Sequence, residues 1–327
     1  MENRIIWKNG DFLPEKEAVV SIYDAGMMYG TIFEMTRSFK KVHFKLKEHL
    51  ERLFASAKYF NINISYSIEQ LVDICNQLLK KNIFDNGDEH RLLINVSSGA
   101  LSIYKDIDGI INGTNIIITD FPLHWTVRNM GKLYDEGLNL MTPSQQAIPS
   151  KILSNRAKHH NRLPFLRANM EVAQSGIPNT WALLLDNNGF LTECVGANVF
   201  LIKDGILYTP KTTNILAGIS RKYVMTEVAK NLYARVDFPV IETDLTVYDA
   251  INSDEMFVCA TPFCILPVTS FNGSKIGDGK PGKITNKLLD IWSYNVGVNI
   301  PEQIKKWNEK YKNDISGSTP YQFTKKT

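Results

Sequence analysis

The segment that most restricts this chain places an acidic residue between two strand-like apolar runs. Glu193 stands on a predicted turn, with the runs 181–186 before it and 198–202 after it. Apolar runs of this length predict buried strands. A carboxylate at such a turn is expected to be partly shielded from water and to need a cationic partner. The protonated nitrogen of a pyridine ring is one group that meets this need.

The composition is that of an ordinary globular protein. The 327 residues are 44% hydrophobic and 22% charged, with a net charge of +3, which allows two domains and does not favour nucleic-acid binding. No apolar window is long enough to predict a membrane span or a signal peptide. The four cysteines lack the spacing of a metal site and are expected to be free thiols in a reducing compartment. We therefore expect a cytoplasmic protein.

Residues 1–120 are predicted to form a small α+β domain. The Asn9-Gly10 pair predicts a hairpin turn, and a second hairpin is expected at Lys40-Lys41. Apolar residues at 3- and 4-residue spacing predict a helix over 46–60, and Ser67-Ile-Glu-Gln70 predicts a capped helix over 68–81. A turn is expected at 26–30, with strands at 19–22, 31–39, 91–96 and 115–119.

Residues 121–131 lose periodicity and are predicted to be an interdomain linker. Residues 132–312 are predicted to form a larger domain, and residues 313–327 a flexible tail. The strands of this domain are expected at 138–142, 181–186, 198–202 and 255–261, and its helices at 161–174, 219–232 and 282–292.

Lys158 lies in a basic segment that reads Arg156-Ala-Lys-His-His-Asn-Arg162. A primary amine attacks an aldehyde only in its neutral form, and burial and neighbouring cations both favour that form of a lysine. From the charge pattern alone, a solvated helix start is the more common interpretation. The adjacent His159 and His160 would point about 100° apart on a helix and make a poor metal pair.

Several motifs in the same order resemble those of the class IV, or fold type IV, pyridoxal-phosphate enzymes. The Thr192-Glu-Cys-Val-Gly-Ala-Asn-Val-Phe200 segment, followed by a Lys-Asp-Gly hairpin, is similar to the family signature. The resemblance runs from about Asn9 to the helix after Pro281. Members include branched-chain aminotransferases, D-amino-acid aminotransferases and aminodeoxychorismate lyases. It implies a smaller α+β domain, a larger mixed α/β barrel-like domain, pyridoxal 5′-phosphate in the cleft between them, and a homodimer.

The resemblance assigns the reactive groups. Lys158, in a Lys-x-x-Asn pattern with Glu171-Val172 ten residues further on, matches the lysine that condenses with the cofactor aldehyde and carries the proton. Glu193 would keep the pyridine nitrogen protonated. Asn198 would orient that carboxylate, although a strand-start turn residue is an equal interpretation from sequence. An exposed hairpin glutamate is the plain alternative for Glu193.

The resemblance also assigns a phosphate site. Arg52, within His49-Leu-Glu-Arg-Leu53, would bind two phosphate oxygens, whereas pairing with Glu48 is the default on a helix. The backbone at Ile219 and the Ser220 hydroxyl would bind phosphate at a helix start. Thr261 matches the strand-end threonine that completes the phosphate site.

The substrate side rests on a local match. The Tyr29-Gly-Thr-Ile-Phe-Glu-Met-Thr-Arg37 segment is similar to a family segment but one residue shorter, so Tyr29 and Arg37 are expected near the substrate carboxylate. Strand packing with a surface arginine is the even alternative. Arg162 stands where branched-chain enzymes often have tyrosine, and it would contact the cofactor's phenolic oxygen. Ser98 replaces the carboxylate-binding arginine of D-amino-acid enzymes, which disfavours that type of site.

The resemblance implies transfer of an amino group from an amino acid, with branched-chain substrates favoured, to a 2-oxo acid such as 2-oxoglutarate. The alternative reaction is that of an aminodeoxychorismate lyase, which releases pyruvate and p-aminobenzoate. Lys-His-His-Asn-Arg-Leu and Thr-Glu-Cys are patterns of those lyases. A non-catalytic vitamin B6 carrier is a third class, which the combination of Lys158, Glu193 and Arg52 disfavours.

Overall fold

A computed structural model describes residues 4–84, 88–108, 110, 112–232 and 238–311. The predicted tail, 313–327, lies outside these residues. Two compact units divide the chain, unit 1 with Met1–Trp125 and Ala157–Arg162, and unit 2 with Thr126–Arg156 and Leu163–Thr327. The division falls inside the range predicted as linker. It also assigns the Lys158 segment to unit 1, whereas the sequence placed that segment in the larger domain.

The strands of unit 1 form a sheet with helices packed on it. Its elements are β1 (Ile5–Lys8), β2 (Asp11–Pro14), α1 (Ala25–Tyr29), β3 (Ile32–Met35), β4 (Ser38–Phe39), β5 (Val42–His43), α2 (Leu46–Tyr59), α3 (Ile68–Lys81), β6 (His90–Ser97) and β7 (Asn115–Pro122). Among the described residues the sheet order is β2-β1-β7-β6-β3, and β4 pairs with β5 as a separate hairpin.

Apolar faces of α2 and α3 build the core of unit 1. Leu50 and Leu53 of α2 and Leu71 of α3 lie in one buried cluster with strand residues such as Leu92 and Ile94. The predicted capping box of α3 is present, because the Ser67 hydroxyl accepts from the Gln70 N–H and the Gln70 side chain accepts from the Ser67 N–H. Burial of these apolar side chains stabilises the unit by roughly 1.5–3 kcal/mol for each large residue.

Three local predictions for unit 1 are wrong. No strand is assigned within 19–22, where Val19 and Ile22 are exposed and lack a neighbouring strand. The predicted turn at 26–30 contains the short helix α1, which Asp24 caps by accepting from the Gly26 N–H. The predicted strand at 31–39 is broken into β3 and β4. The hairpin at Lys40-Lys41 is confirmed, with both residues at positive φ.

Unit 2 is built on a mixed sheet that closes on itself. Its elements, with α4 spanning the boundary between units, are α4 (His124–Val127), α5 (Leu133–Glu136), β8 (Leu138–Met141), α6 (Leu163–Ala173), β9 (Thr180–Leu185), β10 (Leu191–Cys194), β11 (Ala197–Lys203), β12 (Ile206–Pro210), α7 (Ile219–Tyr223), β13 (Val240–Thr243), α8 (Val247–Ile251), β14 (Glu255–Ala260), β15 (Cys264–Phe271), β16 (Ser274–Lys275), α9 (Lys283–Val296) and α10 (Ile300–Lys310).

Strand pairing gives unit 2 its barrel-like form. In the part of the chain that the structure describes, the order is β10-β9-β8-β15-β14-β11-β12-β13, and β10 also pairs with β11. That extra pairing joins β10, β9, β8, β15, β14 and β11 into a closed ring, in which β8 is parallel to both of its neighbours. Closure removes exposed strand edges. The predicted helix over 219–232 is wrong in detail, since α7 is followed by a π-helical turn, Val224–Val228.

Two helices complete unit 2. The predicted helix over 282–292 is α9, which extends to Val296 and ends at Gly297 with a φ of 64°. The second, α10, was not predicted, although Asn299 caps it and Pro301 occupies its first turn. Within the described residues, no helix combines the length and apolarity needed to cross a membrane.

Candidate active site

Backbone hydrogen bonds fix the Lys158 segment between α2 and β3 of unit 1. The Lys158 N–H donates to the Ser56 hydroxyl over 3.0 Å, and the Lys158 carbonyl accepts from the Phe33 N–H over 3.0 Å. One residue further, the His160 N–H donates to the Thr31 carbonyl over 2.8 Å. The segment is extended, so the interpretation as a solvated helix start is wrong. These bonds also explain why residues 157–162 belong to unit 1.

The Lys158 side chain lies in a positively charged part of unit 1. It is half-buried, and its Nζ atom is 4.7 Å from the centroid of the Phe33 ring. Burial and the nearby charges of Arg162 and Lys158 lower the pKa of His159 to about 4 and that of His160 to about 4. Both imidazoles are therefore neutral near pH 7, and the cationic neighbour that the sequence predicted for Lys158 is present in Arg162.

A buried carboxylate holds Arg52. The Arg52 guanidinium donates from Nε to Glu34 Oε1 over 2.6 Å and from Nη2 to Glu34 Oε2 over 3.0 Å. The His49 Nδ1 atom is 2.8 Å from Glu34 Oε2. Burial alone would raise the pKa of Glu34, but Arg52 and His49 outweigh it and hold that pKa well below its usual range. Glu34 is thus ionised inside the unit.

This arrangement corrects the default expectation for Arg52. The sequence suggested Glu48 as its helix partner, but Glu48 pairs with Lys45 over 3.2 Å. Glu34 is closer because β3 passes directly over the face of α2 that carries Arg52. Phosphate binding by Arg52 stays a prediction. Sequence reasoning missed the roles of Glu34 and His49, although both lie inside the motifs that carry the resemblance.

Unit 2 surrounds Glu193 with neutral hydrogen-bond donors. Glu193 is buried in β10 and lies opposite Asn198 of β11 in the strand register, with the turn at Val195-Gly196. Its Oε1 atom accepts from the Leu216 N–H over 3.1 Å, and its Oε2 atom accepts from the Asn198 side chain over 3.3 Å. The exposed-hairpin alternative for Glu193 is therefore wrong, and the expected contact with Asn198 is present.

A glycine allows the Asn198 side chain to reach this position. Asn198 Nδ2 also donates to the Leu216 carbonyl over 3.1 Å, and Gly218 packs against the other end of the amide. A Cβ atom on Gly218 would lie 2.1 Å from Asn198 Oδ1. Such a contact is impossible without displacement, so only glycine fits here beside the oriented amide.

Two hydroxyls converge at the start of α7 in unit 2. Gly218 precedes the helix, Ile219 is its first residue, and Ser220 is buried in its first turn. The Ser220 and Thr261 hydroxyl oxygens are 3.5 Å apart. The structure thus brings together the predicted residues Ile219, Ser220 and Thr261, and two hydroxyl donors together with a helix start suit an anionic group.

The predicted substrate residues occupy very different environments in unit 1. Tyr29 is exposed at the end of α1 and lines a cavity of about 470 Å³ with residues that include Ser98, His159 and Asn161. Arg37 is fully buried, with its guanidinium carbon 3.8 Å from the Phe39 ring centroid and its Nε donating to the Ser38 carbonyl. The surface-arginine alternative is wrong. Contact of either residue with a substrate stays a prediction, as does contact of Arg162 with a cofactor.

Other chemistries find little support in the described residues. No group of three or more histidine, cysteine or acidic side chains in the described ranges could hold a metal ion. The four cysteines are buried free thiols, and burial raises the pKa of Cys75, Cys194 and Cys259. Protonated buried thiols are poor nucleophiles.

Comparison with known proteins identifies the class. The family profile described as amino-transferase class IV matches residues 31–271. The chain therefore belongs to the class IV aminotransferase family, and the predicted enzyme class, a transaminase, is confirmed.

Individual relatives extend over nearly the whole chain. A branched-chain-amino-acid aminotransferase of Escherichia coli (strain K12) is 30% identical over 309 residues, 92% of this chain and 95% of the relative. A D-alanine aminotransferase of Listeria monocytogenes is 30% identical over 287 residues, 86% of this chain and 92% of that protein. A solved branched-chain amino acid aminotransferase from the organism abbreviated T.th., with pyridoxamine 5′-phosphate, has a TM-score of 0.79 at 26% identity, covering 94% of this chain and 98% of that chain. The predicted fold type IV is confirmed.

Proposed function

We propose that this protein is a pyridoxal 5′-phosphate-dependent aminotransferase that moves the amino group of a branched-chain amino acid to a 2-oxo acid such as 2-oxoglutarate. The observation that carries the proposal is the 30% identity to the Escherichia coli branched-chain enzyme over 92% of the chain. The pyridoxamine 5′-phosphate in the solved T.th. relative supports the cofactor.

The donor groups of both units suit this cofactor. Unit 1 supplies a half-buried amine, Lys158, among neighbouring cations. Unit 2 supplies a buried carboxylate, Glu193, which accepts hydrogen bonds from neutral amide groups, and the two hydroxyls of Ser220 and Thr261. An amine for an aldehyde, a carboxylate for a protonated ring nitrogen and hydroxyls for a phosphate are the groups that such a cofactor requires.

When bound, pyridoxal 5′-phosphate supplies an electron-accepting ring that stabilises negative charge on the substrate α-carbon. Lys158 Nζ takes the α-proton of the substrate and returns it in the reverse direction. Glu193 keeps its charge directed at the ring nitrogen because Asn198 and the Leu216 N–H hold both carboxylate oxygens. Arg52, Ser220, Thr261 and the backbone at Ile219 bind the phosphate, and Arg162 contacts the phenolic oxygen.

A D-amino-acid substrate is the second candidate, since the Listeria monocytogenes relative is a D-alanine aminotransferase of the same identity. Ser98 weighs against it, because a hydroxyl cannot replace a guanidinium in binding a carboxylate. The stereochemistry of the substrate therefore has to be measured directly.

The assay compares L-leucine, D-alanine and aminodeoxychorismate with the purified protein, adding 2-oxoglutarate for the two amino acids. We expect glutamate from L-leucine, at a rate at least tenfold above that from D-alanine. Lys158→Ala should lower this rate by at least about 10³-fold, because the group that transfers the proton is lost. Glutamate from D-alanine alone, or pyruvate with p-aminobenzoate from aminodeoxychorismate, would replace the proposal by the corresponding alternative.

We also propose that two copies of the chain form a homodimer in a reducing compartment such as the cytoplasm. Exposed apolar side chains cluster along 19–29 of unit 1, namely those of Val19, Ile22, Met27, Met28 and Tyr29. Such patches mark association surfaces. Four buried free thiols are consistent with a reducing compartment. Sedimentation velocity should give about twice the chain mass of 37.1 kDa, and Met28→Glu should shift the protein towards a single copy.

A further inference from the structure

The hydroxyl of Ser56 makes the hydrogen bond that connects α2 to the Lys158 segment. Ser56 lies in the last two turns of α2 and is only 1% exposed. Its Oγ atom donates to the Arg52 carbonyl over 2.9 Å and accepts from the Lys158 N–H over 3.0 Å. A serine in a helix interior is less favourable than alanine, and a buried hydroxyl is costly unless paired. The contact with Lys158 therefore gives this position a role outside the helix.

The contacts around Ser56 form a closed circuit within unit 1. Ser56 binds the Lys158 amide, and the Lys158 carbonyl accepts from the Phe33 N–H on β3. The next residue on β3, Glu34, holds the Arg52 side chain, and the Arg52 carbonyl accepts from Ser56. Because Arg52 and Ser56 are four residues apart, they lie on one face of α2. The position of the lysine backbone is thus coupled to that of the arginine.

We infer that Ser56 is a positioning residue, which fixes the Lys158 backbone so that the amine reaches the reacting carbon and stays in register with Arg52. The inference rests on the proposed function of Lys158. Ser56 itself touches neither substrate nor cofactor in this account. Without the hydroxyl, the Phe33 bond remains on the carbonyl side of Lys158, but the amide side loses its acceptor. The lysine then samples positions from which proton transfer is slow.

The variants Ser56→Ala, Ser56→Cys and Ser56→Thr separate positioning from folding. Thr226→Ala is the matched control, because the Thr226 hydroxyl also donates to the carbonyl four residues earlier, Lys222, but lies in unit 2. We expect Ser56→Ala to lower kcat by about 10- to 100-fold, the range for a displaced reactive group, with the KM for the amino donor changed less than twofold. Cysteine, a weak acceptor of similar volume, should give an intermediate loss, and threonine should restore most of the rate. Thr226→Ala should leave kcat unchanged.

A second measurement follows the lysine itself. Each variant is mixed with pyridoxal 5′-phosphate, reduced with borohydride at timed intervals, and digested for mass spectrometry of the Lys158 peptide. We expect the rate of labelling to fall about tenfold in Ser56→Ala and to stay at the wild-type value in Thr226→Ala, whether or not the thermal midpoints of the variants differ. If Ser56→Ala does not fold, the same comparison is made with Ser56→Cys.

The outcomes distinguish the two levels of the account. Labelling of the wild-type protein at Lys158, with labelling and kcat of Ser56→Ala or Ser56→Cys equal to wild type, overturns the role of Ser56 and leaves the proposed function in place. Loss of kcat with an unchanged labelling rate also overturns it. Failure of the wild-type protein to label at Lys158 overturns both.

Discussion

The two units hold their reactive side chains by different means. In unit 1 the environment is charged, since Glu34 binds both Arg52 and His49 in the interior. All six histidines of the chain lie in this unit, and two of them pair with buried acids, His90 with Asp120 over 2.8 Å and His124 with Asp88 over 2.5 Å.

In unit 2 the reactive carboxylate lies on a closed sheet and contacts neutral groups. Glu193 accepts from a backbone N–H and from Asn198, while strand residues such as Val199 and Phe200 are fully buried. Removing one member of a buried charged pair leaves an uncompensated charge, whereas a neutral contact can be replaced at lower cost. We therefore expect unit 1 to be the more sensitive to charge-removing mutations and to acid.

The largest expected difference comes from the same substitution in each unit. Glu34→Gln should lower the free energy of unfolding of unit 1 by about 3 kcal/mol, because Arg52 and His49 lose their buried counter-charge. Glu193→Gln should cost unit 2 only about 1 kcal/mol, because an amide oxygen can still accept from Leu216 or Asn198. Hydrogen exchange resolved by peptide measures each unit separately. Equal losses in the two units would contradict the comparison.

Acid should act on unit 1 first. Burial, followed by the charges of His90 and His49, lowers the pKa of His43 to about 3, and burial followed by Arg162 and Lys158 lowers that of His159 to about 4. The unfolded chain binds protons below pH 6.5 while these folded histidines stay neutral, so stability is full above pH 6.5 and is lost progressively towards pH 3. Below pH 4.5, protonation of Glu34 in the unfolded chain acts in the same direction.

Hydrogen exchange between pH 7 and pH 4 tests this expectation. Peptides of unit 1 should lose protection by the equivalent of about 3 kcal/mol, or roughly two pKa units of a single buried histidine, while those of unit 2 change less. His43→Asn and His159→Asn should each reduce the pH dependence. A uniform loss across both units would show that the buried histidines do not control acid stability.

A smaller effect is expected at the glycine beside Asn198. Gly218→Ala should cost about 2 kcal/mol, since its Cβ must push Asn198 away from Glu193. Activity should fall with it. The control is Gly176→Ala, where φ is +70° and nothing lies within 4 Å, so that backbone strain of about 1 kcal/mol acts alone. A fully active Gly218→Ala protein would show that the contact between Asn198 and Glu193 is dispensable.

The smallest effect belongs to the surface of unit 2. Lys203 pairs with Asp254 over 2.9 Å at an exposed position. Lys203→Gln should change the free energy of unfolding by at most about 0.5 kcal/mol in a denaturant titration, because solvent screens the pair. A loss comparable to that of Glu34→Gln would remove the distinction between buried and exposed charges.

Sequence reasoning performed best where the pattern is local. The bounds of α3 and its capping box follow from Ser67 and Gln70, and the pairing of Glu193 with Asn198 follows from the spacing across a tight turn. The strand predicted over 19–22 failed, because alternation of apolar residues does not reveal whether a neighbouring strand is available to pair.

Long-range partners were harder to predict. Neither Ser56 with Lys158 nor Arg52 with Glu34 is visible from spacing, since the members of these pairs are 102 and 18 residues apart. Arg37 was expected at the surface or at the substrate, yet it is fully buried, because its aliphatic stem and guanidinium pack on Phe39. The family resemblance supplied candidate roles, while the contacts that hold each residue required the fold.

The most direct test of the central claim identifies the lysine that captures the cofactor. The protein is incubated with pyridoxal 5′-phosphate, reduced with borohydride, digested and mapped by tandem mass spectrometry. The account predicts one stoichiometric adduct on the peptide that contains Lys158, and none on it in Lys158→Ala. A stoichiometric adduct on a different lysine, or equal labelling of the Lys158→Ala protein, would contradict the assignment of Lys158 as the reactive amine.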